Sequence, residues 1–324
     1  MNQQIYKFIY VYHYAAITTF CGVATILSMF FFLAGAFETT ALPAGFTTRT
    51  ELIGLLLMLI ILPAYLGMGT ILGQRRSLQL AQTSQQGSDF EFAQQIASVP
   101  FSYTTIGMVL GFAYSFLNLP NAGIESFSSG EKVLAALTMG QILLWTAAGL
   151  TLSIRIHVAR IFYLAGKQVQ LDVFEMSNLK PFGHAGLTDV LLVAVAMAIT
   201  TLQSLDAQFR MYNYINALTI TIPALTVLMV SPMYSLHRRI VSVRNEELRK
   251  VNDLIRSAPK DLVAEHVSQL ELYLQRRQRL LLMHTWPLDM TVASRLLLYV
   301  IVPPLAWLGA AFVEIVLNSF LTTS

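Results

Sequence analysis

The sequence predicts an all-α protein: a polytopic membrane helix bundle of about seven transmembrane helices, with a cytoplasmic antiparallel helical hairpin. Three observations carry this expectation. First, 55% of the 324 residues are hydrophobic and only 12% are charged, whereas a soluble globular chain carries roughly 25% charged residues. Second, several apolar runs reach the ~20 residues that a helix needs to cross the hydrocarbon core. Third, the basic residues sort by side, as they do in membrane proteins.

In chain order the apolar runs are 14–37, 51–73, 100–119, 132–154, 187–205, 214–235 and 295–320. Tyr6, Tyr10, Tyr12 and Tyr14 lie at the inner end of the first run as an interfacial aromatic belt, with His13 among them. The apolar stretch from Ala15 is longer than the core of a signal peptide, about 7–15 residues. The small residues Ala34-Gly35-Ala36 are therefore read as the end of a retained helix rather than a cleavage site. The third run, PFSYTTIGMVLGFAYSFLNLP, is the most polar, but its Gly107 and Gly111 form a GxxxG helix-packing device. Pro63 in the second run and Pro223 in the sixth are kink candidates.

Charge placement tests the count. With the N-terminus inside and the C-terminus outside, eighteen of the 21 basic residues fall on inner segments, and only Arg49, Lys132 and Arg210 fall outside. Removing the third span alone would invert everything after it and carry the most basic region outside. The chain thus divides into a membrane bundle (1–235), a cytoplasmic hairpin (236–291) and a last membrane helix (292–324).

Three inner segments follow. Ser88 and Glu91 fit a capping box, after which Phe92, Ile96 and Val99 share a face, predicting a short helix on the membrane surface. The fourth span is expected to continue to Gly166 as C-cap, with Arg155, His157 and Arg160 at its emerging end as lipid-headgroup contacts. In the third segment Val241, Leu248, Val251 and Ile255 form one stripe, and Val263, Val267, Leu270, Leu274 and Leu281 form another. Ser257-Ala258-Pro259 makes the turn between them, with Pro259 and Asp261 suited to a first helical turn. Two stripes joined by a tight turn predict a hairpin in which Leu248, Val251, Leu270 and Leu274 pack together or meet a partner.

The sequence has no P-loop, dinucleotide fingerprint or G-x-S-x-G, and its six histidines lack metal-ligand spacing. No catalytic, cofactor or metal site is expected, and the chain reads as a non-enzyme. Cys21 is the sole cysteine, which excludes an intramolecular disulfide. The ionisable residues near span depth are Asp189, Asp206, Arg295 and Glu314. Asp189 and Arg295 fall near the inner surface. Glu314, the intramembrane acid candidate, lies about 28 Å beyond Arg295 along a straight helix, close to the outer surface. Pro303 and Pro304 deprive the carbonyls of Tyr299 and Val300 of their helical partners, making this pair the hinge candidate.

The stretches VARIFYLAGKQVQLDVFEMSNLKPFGHAGL and RQRLLLMHTWPLDMTVASRLLLYVIVPPLAWLGAAFVE resemble paired patterns found in an uncharacterised family of bacterial multi-pass inner-membrane proteins. Together with SPMYSLHRRI and NEELRKVNDLI between them, the resemblance covers the C-terminal half. The chain departs from it at DVFEM and at Leu288, where the family has Phe. The resemblance implies a bacterial inner-membrane location and brings no activity or functional residue with it. The expected role is a membrane sensor or scaffold whose hairpin binds a cytosolic protein. The alternative is a transporter or channel gated at the proline-kinked last helix. The expected partners are membrane lipid and that cytosolic protein; self-association is compatible with this reading, and nucleic acid is not expected.

Overall fold

A computed structural model describes residues 12–37, 42–43, 46, 48–84, 91–118, 131–168, 179–200, 202, 211–258, 264–283, 285–286, 294 and 298. Among these residues the regular structure is helical, with no sheet. The helices are α1 (Ala15–Leu33), α2 (Arg49–Ser84), α3 (Glu91–Ala97), α4 (Phe101–Asn118), α5 (Lys132–Gln168), α6 (Lys180–Thr200), α7 (Met211–Ser257) and α8 (Ala264–Leu282).

Five stretches among the described residues are long and apolar enough to cross a membrane: Ala15–Leu33, Arg49–Gln82, Phe92–Leu117, Lys132–Gln168 and Pro181–Thr200. By helix length and hydropathy this is a multi-pass membrane protein. The five stretches coincide with the first five apolar runs, although the fifth helix begins and ends earlier than expected, with Pro181 in its first turn. The sixth run, 214–235, lies within the first half of α7. The seventh, with Pro303, Pro304 and Glu314, lies outside the described residues except for Leu298, and Asp206 and Arg295 lie outside them too.

Three helices far exceed the bilayer. At 1.5 Å per residue, α2 and α5 each extend about 55 Å and α7 about 70 Å, against a hydrocarbon core of about 30 Å. Their C-terminal halves carry Arg75, Arg76, Arg155, Arg160, Arg238 and Arg239. α7 runs through Pro223 and Pro232 without interruption, and α2 through Pro63.

α2 is central and packs against α1, α3, α5 and α6. Two large apolar clusters result, beside a small one of Ala15, Ala16 and Ile71. The first gathers Leu27, Phe31, Leu56, Leu59, Ala136 and Leu144 from α1, α2 and α5. The second lies toward the ends of the long helices and gathers Leu80, Ile96, Phe162, Phe182, Leu236 and Ile240 from five helices. The expected surface helix is corrected here. Ile96 of α3 is fully buried and Phe92 meets Phe162 edge to face, so the apolar side of α3 packs on protein, not on lipid. Ser88 lies outside the described residues.

The GxxxG expectation meets direct packing. A Cβ on Gly149 would stand 2.8 Å from Gly111 Cα, and one on Gly107 would stand 2.7 Å from the Gly149 carbonyl oxygen. Glycine therefore lets the α4 and α5 backbones touch. Gly166 does not end its helix. α5 continues to Gln168, and Gly166 instead makes room for Ser235 and Leu236 of α7. At the end of α1, Gly35 adopts φ +79°, the left-handed conformation that glycine accepts without steric cost.

The hairpin is present. α7 and α8 are antiparallel neighbours: Arg276 Nη2 donates to Glu247 Oε2 at 2.9 Å, and Arg277 Nε donates to Asn252 Oδ1 at 3.0 Å. At its base, His237 stacks on Trp286 with ring centroids 4.2 Å apart. The expected register of the second arm needs correction. Leu274 is 48% exposed and Val267 and Leu281 are similarly open, whereas Leu280 is fully buried. The face of α8 turned toward α7 carries Arg276, Arg277 and Leu280 rather than the 267/274/281 stripe. On α7, Val251 is buried as expected and Leu248 is half-buried, as is Leu270 on α8. Pro259 and Asp261 lie outside the described residues.

Candidate functional site

The least expected site lies between the two apolar clusters. Arg155 of α5 is 1% exposed and Asp189 of α6 is 1% exposed. Arg155 Nε donates to Asp189 Oδ1 at 2.6 Å, and its Nη2 lies 2.5 Å from the same oxygen. Nη2 also donates to Ser77 Oγ of α2 at 2.9 Å. One guanidinium thus joins three helices.

Local sequence explains the room for it. Gly73 lies four residues before Ser77 on the same face of α2, and a Cβ at Gly73 would stand 2.9 Å from Arg155 Nη1. The planar fork of arginine suits this use because it bonds two neighbours at once. The polar seam continues away from the pair: Thr70 Oγ1 donates to Thr151 Oγ1 at 3.1 Å, and Tyr65 OH donates to the Leu192 carbonyl at 3.2 Å. Arg155 Nη1 and Gln74 Oε1 are buried without a protein hydrogen-bond partner.

Arg155 is therefore corrected as a headgroup contact: fully buried and ion-paired, it cannot reach lipid phosphate. His157 is nearly buried, with its ring 4.7 Å from that of Tyr103, which also withdraws it from the headgroups. Arg160 remains exposed, and its Nη1 donates to Tyr103 OH at 2.7 Å. The cluster is a cation on an aromatic ledge, the arrangement common at membrane interfaces. Tyr12 and Tyr14 are exposed, in keeping with an interfacial belt, and Arg75 donates to the carbonyls of Tyr12 and His13.

Sequence reasoning noticed Asp189 and Arg155 separately and missed their union, and it missed Ser77 and Gly73 entirely. A usable signal existed. The seven-span reading places both charges near the inner surface, and Asp189 is the one acid in Lys180–Thr200. A carboxylate in such a segment needs a cation at its own depth.

The second candidate surface is the outer side of the hairpin. Val267, Leu274 and Leu281 of α8 recur every seven residues and are all about half exposed. Leu272 and Leu282 add to the exposed apolar area. No group of His, Cys, Asp and Glu suited to a metal ion occurs among the described residues. No protein-family model, curated protein or solved structure matches the chain.

Proposed function

We propose that this protein is a sensor or scaffold of the bacterial inner membrane whose hairpin binds a cytosolic protein. The observation that carries the reading is the continuity of α7. A single helix of 47 residues begins among the membrane helices and ends as the first arm of the hairpin. A rigid helix transmits displacement along its whole length, so an event in the bundle reaches the hairpin without a flexible joint. The 267/274/281 stripe supplies the docking surface, because soluble surfaces seldom leave aligned apolar side chains uncovered without an interaction to serve. The basic residues on both arms support a cytoplasmic side for the hairpin.

Affinity purification from native membranes tests this. Wild-type protein should retain a defined protein partner that the Val267→Asp/Leu274→Asp variant releases at equal expression. Equal recovery of the same proteins by both would remove the reading. A second reading, transporter or channel, is favoured by the buried charges and polar seam at Arg155, Asp189, Thr70 and Thr151, since intramembrane ionisable residues often line ion paths. Solute or ion flux through reconstituted protein, abolished by Asp189→Asn, would establish that reading in its place. The proposed gate in the last helix would show instead as flux sensitive to Glu314→Gln and to Pro303→Ala/Pro304→Ala.

A further inference from the structure

We propose that the Arg155–Asp189 pair is a latch that closes α5 and α6 around α7 and so sets the rigidity of the cytoplasmic hairpin. The coupling runs within the chain and needs no partner.

α7 is held by close contacts with α5 and α6. Gly166 of α5 makes room for Ser235 and Leu236 of α7. On the other side, a Cβ at Gly186 of α6 would stand 3.3 Å from the Met229 carbonyl oxygen and 3.0 Å from the Met233 side chain. α7 is thus gripped from two sides over the short stretch 228–236, immediately before His237 and the hairpin. α5 and α6 pack extensively on α7 but meet each other over little of their length. They are linked directly by the ion pair and, nearer the hairpin, by Phe162 of α5 meeting Phe182 of α6 edge to face; Asp189 lies one turn from Gly186.

The pair also anchors α6 to α2 through Ser77, which accepts from the same guanidinium. Removing Asp189 would leave a buried guanidinium that must find water or move. Either response separates α5 from α6 and opens the grip. The hairpin base depends on the same region, because His237 holds Trp286 and its Nδ1 lies 2.9 Å from the Thr285 carbonyl oxygen. Loss of the latch should therefore appear far from it, in residues that touch neither Arg155 nor Asp189. A buried ion pair is seldom the most stable filling for its space, and a switching role is one reason for its presence.

Hydrogen exchange on the full-length protein in lipid nanodiscs tests the latch. Asp189→Asn should raise amide exchange about tenfold in 237–257 and 264–282 through easier local opening. Ser77→Ala, which deletes one hydrogen bond and no charge, should raise exchange in the same segments by less. Leu59→Ala, a cavity in the other apolar cluster, should leave the hairpin as in wild type. Exchange rising in α6 alone, or Leu59→Ala loosening the hairpin as much as Asp189→Asn, would overturn the proposal. Should Asp189→Asn fail to insert, Ser77→Ala decides: unchanged hairpin exchange in that variant rejects the latch.

Discussion

Arg155 Nε and Asp189 Oδ1 stand 2.6 Å apart, and both side chains are closed to solvent. Taking one partner from such a pair strands the other, a loss of about 3–5 kcal/mol, whereas replacing both with apolar groups is often neutral. Asp189→Leu should therefore destabilise the protein by about that amount, and Arg155→Met/Asp189→Leu should recover most of it. Denaturant unfolding in a fixed detergent measures both. A double variant no better than the single one would show that the pair itself, not its charge balance, supplies the stability.

The α4–α5 contact makes a steric prediction. A Cβ at Gly149 has backbone atoms of Gly111 at 2.8 Å, while one at Gly22 has nothing within 4 Å. Gly149→Ala should cost about 1–3 kcal/mol by forcing two helices apart. Gly22→Ala should stay within about 0.5 kcal/mol. The same unfolding measurement separates them, and similar losses for both would contradict close α4–α5 packing.

In the hairpin, Val251 is 2% exposed and Leu274 is 48% exposed. Val251→Asp would bury an unpaired charge and should expose both arms to limited proteolysis. Leu274→Asp should leave the cleavage pattern unchanged. Matching cleavage in the two variants would restore the register in which Leu274 faces α7.

Glu247 sets a pH dependence. Its hydrogen bond from Lys250, with the charges of Lys250 and Arg276, holds the carboxyl below the usual glutamate range against a smaller desolvation effect. A depressed folded-state value means that this contribution is complete above the unfolded pKa, about 4.3. It is lost as pH falls through the depressed value. Exchange protection of α8 should hold from neutral pH to about pH 5 and decline only in stronger acid. Glu247→Gln should start lower and lose that part of the acid sensitivity. A wild-type hairpin that loosens between pH 7 and pH 6 would point to a different group.

What could be read in advance follows physical range. Span positions depend on local apolar content, so Ala15–Leu33 and Phe101–Asn118 matched their runs closely. The GxxxG at Gly107 and Gly111 is a local motif with a local meaning. The partner of Arg155 is not local: Asp189 is 34 residues away in the chain, and each charge alone at a span end resembles an interface residue. The hairpin shows the same divide. Its existence follows from two periodic segments and a turn. The face that α8 turns inward carries the buried Leu280, with Arg276 on Glu247 and Arg277 on Asn252 beside it, and the spacing of apolar residues alone does not single out that face. α3 was misplaced for a related reason, since an amphipathic face does not say whether lipid or Phe162 will cover it.

Site-specific photo-cross-linking in intact cells decides whether the hairpin is a cytoplasmic docking arm built on α7. A photoreactive residue at Leu274 should yield one discrete protein adduct that disappears when Val267→Asp is added, and the same residue at Asp253 on the exposed polar side of α7 should yield none. Adducts to lipid alone at Leu274, or equal adducts at Leu274 and Asp253, would contradict the docking arm.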